Sequence, residues 1–308
     1  MSNQKALRVV FMGTPEFAVA TLNAIHASHH KVVAVVTAPD KPAGRGLKIH
    51  ESAVKIAAVN AGIAVLQPEK LKAPDFIDEL QSLQADVFVV VAFRMLPEVV
   101  WNMPELGSIN LHASLLPAYR GAAPIQRAVM NGEKRTGLTV FKLQQEIDTG
   151  DVLGKLELEI GKNETAGELH DRMMVSGAQL LTSVLDILAE GKHHGIPQQQ
   201  LMPSGNLPTA PKIFRDDCLL NWNLTAQEVH NQVRGLSPYP GAFTFLNGKS
   251  LKVLRGENLP ELKIDADYEV IGSQLLFRCA DGSYSVTQLQ PEGKKVMSSE
   301  EFLRGWRG

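Results

Sequence analysis

The chain is poor in cysteine. Its 308 residues include two, Cys218 and Cys279, far apart and outside any CxxC pair. That excludes a disulfide framework and a thiolate zinc centre, and it fits a reducing cytoplasm. The chain also lacks an excess of either charge. Its formal net charge is -2, so no global field draws in nucleic acid or a membrane, and any polyanion contact must come from a local patch. No apolar run reaches membrane-spanning length, and the opening MSNQKALRVV lacks the h-region of a signal peptide. A cytoplasmic protein without membrane contact is expected. The first βα turn, FMGTPEF, holds one glycine where a dinucleotide fingerprint needs GxGxxG, which argues against an NAD or FAD enzyme. No Ser or Cys sits in a nucleophile motif, so direct group transfer is favoured over a covalent enzyme intermediate. The pairs His29-His30 and His193-His194 are neighbours whose side chains should point apart, so both are expected at the surface and no metal centre is expected.

What is present is a soluble globular composition, 44% hydrophobic and 21% charged, and a length that favours two domains. From residue 7 strands and helices alternate. LRVVFMG, KVVAVVTA, IAVLQP and ADVFVVVAF read as strands. PEFAVATLNAIHAS, the Ser52-capped SAVKIAAVNAG, and DFIDELQSL read as helices. This order predicts an α/β fold with a parallel sheet covered on both faces, and ligands in such sheets bind beyond the carboxyl ends of the strands. A hairpin-like pair, TGLTVFKL and VLGKLELEI, is joined by QQEIDTGD. A long helix from about Thr165 to Glu190 opens with a Thr165/Glu168 capping box. Residues 191–208, rich in Pro, Gly and Gln, read as a linker. Residues 209–308 show one helix and several short strands with turn signals, which predicts a small β-barrel or sandwich. The expected domains are therefore 1–190 and 209–308. The second carries 12 basic and 12 acidic residues and shows no polyanion-binding excess.

One stretch breaks the apolar pattern. In SINLHASLLPAYRG, Ser108, Asn110, His112 and Ser114 alternate with Ile109, Leu111 and Ala113, so one face of a strand is polar. A lone histidine on a strand is most often a satisfied structural residue. Here, however, it shares its face with Asn110 and lies just before a Pro-bearing loop, and Asp148 in the turn IDTGD is a candidate to orient its ring. Asp148 is equally an ordinary turn residue, and sequence distance cannot place it beside His112. An amide and a protonated imidazole can both donate to an oxygen that gains negative charge, and a carboxylate favours and holds the imidazolium. That equipment suits attack of an amine on a carbonyl, where one such donor is worth about 3 kcal/mol of barrier. The loop PDKPAGRGLK carries Lys41, Arg45 and Lys48 against Asp40. It reads either as a solvated surface loop or as a pliable arm that reaches phosphates.

Several stretches, FMGTPEFAV, PDKPAGRG, NLHASLLPAYRGAAPIQRAV, DTGD and APKIFRDDCLLNW…VRGLSPYPGAFT, together resemble the methionyl-tRNA formyltransferase family. SLLPAYRGAAPI marks the wider group that uses 10-formyltetrahydrofolate. The resemblance spans nearly the whole chain. It implies a Rossmann-like formyltransferase domain followed by an OB-like β-barrel. It also implies transfer of a formyl group from 10-formyltetrahydrofolate to the amino group of methionine on initiator tRNA, without a metal. By that resemblance Asn110, His112 and Asp148 are catalytic, and Ser114, Leu115, Leu116 and Pro117 touch the folate, with Phe93 near its ring. Lys41, Arg45 and Lys48 belong to the loop that enters the tRNA acceptor stem. A monomer is expected. The chain departs from the family where EIDTGD replaces the frequent GLDTGD, placing Glu146 near Asp148, and where AFRMLP is one residue shorter than its usual counterpart. Two other classes stay open: a formyltransferase for another amine, such as a nucleotide-linked amino sugar, and a non-enzymatic nucleic-acid binder.

Overall fold

The computed structural model describes residues 5–43, 48–192, 194–202 and 206–306. The chain divides into two compact units. One comprises Met1–Arg120, Gly137–Leu158 and Asp171–Pro208, and the other Gly121–Thr136, Glu159–His170 and Thr209–Gly308. The division is not sequential: residues 121–136 and 159–170, which precede position 190, fall in the second unit.

The chain begins β1 (Arg8–Gly13), α1 (Glu16–Ala27), β2 (Lys31–Val36), a short pair β3 (Lys41–Ala43) and β4 (Lys48–His50), and α2 (Ala53–Asn60). It continues β5 (Val65–Leu66), α3 (Pro74–Ser82), β6 (Val87–Val91), α4 (Glu98–Trp101) and β7 (Ser108–His112). Then come β8 (Arg120–Gly121), α5 (Pro124–Met130), β9 (Arg135–Lys142), β10 (Val152–Glu159) and α6 (Ala166–Ala189). Seven strands form one sheet in the order β10-β9-β7-β6-β1-β2-β5. The five from β5 to β7 pair in parallel, and β9 joins β7 antiparallel. The sheet is thus mostly parallel, as the alternating pattern predicts, and mixed at one edge. β6, VFVVV, is buried at every position, as a strand covered on both faces must be. The helix signals hold. The Ser52 side chain accepts from Lys55 N at 3.0 Å, and Thr165 and Glu168 exchange bonds at the start of α6.

Covering helices decide which face of β7 is free for other work. A Cβ on Gly177 of α6 would lie 2.8 Å from Leu111 Cδ2, so this helix packs tightly on the apolar face of β7. Ile109 and Leu111 are buried. Asn110 and His112 point to the opposite side of the sheet.

His29 is exposed, as expected of the pair, but His30 is not at the surface. His30 is buried: its Nδ1 accepts from Leu7 N at 3.2 Å and its Nε2 lies 3.2 Å from Asp186 Oδ1. The two rings lie 4.1 Å apart, because the pair sits in a turn between α1 and β2 where the alternation rule does not apply. With Nδ1 filled by a backbone N–H, the neutral His30 ring carries its proton on Nε2 and donates it to Asp186. Burial pulls the His30 pKa down, helped by the neighbouring His29. His193 lies outside the described residues.

Residues 191–208, read as a linker, carry structure of their own. Ile196 pairs with Val152 through two backbone bonds of 2.9 Å, and Gln198 begins a short 3-10 turn, Gln198–Leu201, with its side chain fully buried.

The second unit contains β11 (Thr209–Ala210), α7 (Ala226–Leu236), β12 (Ala242–Leu246), β13 (Lys249–Leu259), β14 (Tyr268–Ile271), β15 (Gln274–Arg278), β16 (Ser283–Pro291), β17 (Met297–Ser298) and α8 (Ser299–Arg304). Its sheet runs β12-β13-β16-β15-β14, with β17 on β16, and every pairing is antiparallel. A Thr225/Glu228 capping box opens α7. Val229, Val233 and Leu236 of this helix join Val253, Phe277, Tyr284 and Val286 of the sheet in one core. Trp222 stacks on Phe277 at 4.3 Å.

Candidate active site

The polar face of β7 divides into structural and available groups. Ser108 Oγ donates to Trp101 O at 2.6 Å and ties the strand to the end of α4. Ser114 Oγ donates to Ala118 O at 2.7 Å and is fully buried. Two of the four polar side chains therefore hold local structure. Asn110 is half-buried, and no hydrogen bond joins its amide to another side chain among the described residues. His112 is buried. Its Nε2 meets Tyr119 O at 2.9 Å, and a carbonyl only accepts, so Nε2 bears hydrogen and the second nitrogen is left to face the site. Phe141, on the neighbouring strand opposite Asn110, presents its ring edge-on to the imidazole at 6.5 Å and 85°.

Asp148 meets that second nitrogen. His112 Nδ1 lies 3.9 Å from Asp148 Oδ2, with the two side chains 8% and 15% exposed. Three groups hold this loop. Asp148 has φ +55°, a left-handed conformation that Asp tolerates better than most residues. At Gly150 a Cβ would meet Lys142 O at 1.6 Å, so only glycine fits. Gln198 Nε2 donates to Asp148 O at 2.9 Å and Gly150 O at 2.8 Å, while its Oε1 accepts from Arg120 Nη2 at 2.6 Å and Nε at 3.2 Å. The neighbouring departures from the family pattern point away: Glu146 is exposed and Ile147 is 60% exposed.

The turn that follows β7 is fixed from the adjoining strands. Thr139 Oγ1 donates to Ser114 O at 2.7 Å and accepts from Leu116 N at 3.1 Å. Lys155 Nζ donates to Leu116 O at 2.9 Å, and burial pulls its pKa down. Ser114, Leu116 and Pro117 are buried, and Leu115 is half-buried where Gly137 leaves room for it. Phe93 is half-buried, packs against the core between β1, β6 and α3, and has Arg94 5.5 Å from its ring. Arg94 Nη1 donates to Glu69 O at 3.0 Å, which ties the short AFRMLP segment to the chain after β5.

Of the basic loop, Lys41 is exposed. Arg45 lies outside the described residues, as does the Lys48 side chain. The loop's base is anchored: Asp40 pairs with Lys55 and accepts from Gln67 Nε2 at 2.8 Å. The Lys55 and Gln67 bonds hold its carboxyl below the usual carboxylate range. No helix among the described residues is long and apolar enough to cross a membrane.

Sequence reasoning missed the supporting groups: the Tyr119 carbonyl, Thr139, Lys155, Arg120 and Gln198. A carbonyl carries no sequence signal. Gln198 had only its position after Ile196-Pro197 in a stretch without hydrophobic period.

Comparisons with known proteins place the chain in a family. Residues 7–185 match the model of the formyl transferase family, and residues 212–307 match that of the formyl transferase C-terminal domain. A methionyl-tRNA formyltransferase of Bacteroides fragilis is 46% identical over 97% of this chain and 95% of its own. That of Parabacteroides distasonis is 47% identical over 98% of this chain and 96% of its own. Among solved structures, the sugar 3N-formyl transferase WlaRD, crystallised with dTDP and 5-N-formyl-THF, shares the fold at TM-score 0.67 and 18% identity. That match covers 94% of this chain and 99% of the other. With nearly full-length identity of this order and both domain models matched, the chain belongs to the formyltransferase family, among the methionyl-tRNA formyltransferases.

Proposed function

We propose that the chain transfers a formyl group from 10-formyltetrahydrofolate to the α-amino group of methionine esterified to initiator tRNA. In this reading it acts as a cytoplasmic monomer, with residues 1–190 as catalytic domain, 191–208 as connection and 209–308 as an OB-like domain. The observation that carries the reading is the meeting of His112 and Asp148 on the face of β7 that also presents the Asn110 amide.

The donor set fits a formyl donor, because Asn110 offers N–H groups beside an imidazole whose Nδ1 faces the same side. The folate, when bound, supplies the formyl carbon. Asn110 would donate to the formyl oxygen as it gains charge on attack by the neutral amine. That one donor is worth about 3 kcal/mol of barrier. His112, held through Nε2 by Tyr119 and facing Asp148 with Nδ1, would stabilise the same oxygen through the positive charge of its imidazolium. Asp148 would hold the imidazolium and accept the proton that the attacking nitrogen sheds. As the bond between the formyl carbon and the folate nitrogen breaks, the proton taken from the amine would pass on to that departing nitrogen, which leaves Asp148 ionised again and the charge balanced. Ser114, Leu115, Leu116 and Pro117 would shape the folate wall, with Phe93 at its ring, and Lys41, Arg45 and Lys48 would contact the acceptor stem.

The test is a formylation assay with methionine-charged initiator and elongator tRNAs and a nucleotide-linked amino sugar as alternative acceptor. Formylation of the initiator tRNA in strong preference to the other two is expected. No transfer to charged tRNA, or preferential transfer to the sugar, refutes the reading.

A further inference from the structure

The carboxamide of Gln198 bonds both to the loop that carries Asp148 and to Arg120, the residue after the Tyr119 whose carbonyl holds His112. It is fully buried, and the chemistry of its partners fixes its orientation. Asp148 O and Gly150 O can only accept, so they take the two N–H bonds. Arg120 can only donate, so it faces Oε1 with two N–H groups. Both hydrogens and both lone pairs of the amide are thereby used. On one side it grips the left-handed Asp148 and the glycine two residues on, where no side chain fits. On the other it grips Arg120, next to Tyr119, whose carbonyl holds His112 Nε2. The pairing of Ile196 with Val152 places Gln198 against this loop.

We propose that Gln198 is a positioning residue for formyl transfer: it sets the Asp148 carboxylate against His112 Nδ1 by clamping the 148–150 loop to Arg120. The proposal rests on the reading of His112 and Asp148 as catalytic. A glutamine suits the place because it alone combines this reach with one donor end and one acceptor end. Glutamate keeps the length and the Arg120 contact but sets an oxygen against two carbonyl oxygens. That repulsion pushes the loop away and the carboxylate with it.

The experiment is a double-mutant cycle on the full chain with Gln198→Glu, Asp148→Asn and their combination, read as kcat, KM and melting temperature. Gln198→Asn, shorter by one methylene, runs alongside as a variant without added charge. A displacement of about 1 Å costs on the order of 100-fold, so Gln198→Glu is expected to lower kcat by about that factor. KM for tRNA and folate should stay within about threefold of the parent, since the loss lies in the reacting state. In the Asp148→Asn background the same change should cost almost nothing, because the group it positions is gone. An equal loss in both backgrounds, or an unchanged kcat in both Gln198 variants, overturns the proposal. Full activity of Asp148→Asn alone, with Gln198→Glu still impaired, instead removes the catalytic reading of Asp148.

Discussion

Asp148→Asn isolates one carboxylate with almost no change in shape. The backbone carbonyl that Gln198 grips is retained, as is the loop that Gly150 fixes. The charge facing His112 Nδ1 at 3.9 Å is lost. Two unit charges about 4 Å apart interact by about 4 kcal/mol at an effective dielectric of about 20. The low exposure of both side chains leaves little solvent screening. The new amide can also donate to Nδ1, which favours the neutral ring and withdraws positive charge from the oxyanion. Losing 3–4 kcal/mol of transition-state stabilisation is a fall of about 100- to 1,000-fold in kcat. The assay is formylation of charged initiator tRNA under saturating donor, with folate affinity and melting temperature measured on the same preparation. A fall below about tenfold, with affinity and melting unchanged, would show that the carboxylate does not act on the imidazolium during transfer.

Two further perturbations separate loop geometry and stability from chemistry. Gly150→Ala places a Cβ 1.6 Å from Lys142 O, so the 148–150 loop must move, and kcat should fall at least about 10-fold. Normal kinetics with a native melting temperature would contradict the tight approach. His30→Asn keeps an acceptor for Leu7 N–H but removes a titratable ring. Because burial lowers the His30 pKa, the unfolded chain binds more protons in the window below 6.5. Its contribution to stability is therefore complete above pH 6.5 and declines as pH falls below it. The melting temperature of His30→Asn should fall less steeply between pH 7 and 5 than that of the parent, and parallel curves would refute the assignment.

How much of this was legible follows from where the signals reside. The parallel strands were readable because each is an apolar run between turn residues, and β6 is apolar at all five positions. The caps at Ser52 and Thr165 were readable because they are local in sequence. The polar face of β7 was readable as a periodicity, but its division was not. Ser108 and Ser114 bond to carbonyls of Trp101 and Ala118, and nothing in their spacing distinguishes them from Asn110. His30 was misplaced because alternation describes strands and helices, whereas the residue lies in a turn that folds back onto the start of β1 and onto Asp186 of α6.

The 191–208 stretch shows the general limit most clearly. Pro, Gly and repeated Gln remove every periodic signal, which is the composition of a tether. Yet a site built from loops needs partners that satisfy loop carbonyls, and glutamine does this well because its two ends are a donor and an acceptor on one rigid plane. Periodicity reports only the faces of regular elements. Asp148 and Gly150 lie in neither a helix nor a strand, and the amide that satisfies both of their carbonyls comes from a segment that carries no period. A residue such as Gln198 is thus hidden from pattern reading by the same irregular backbone that creates the need for it.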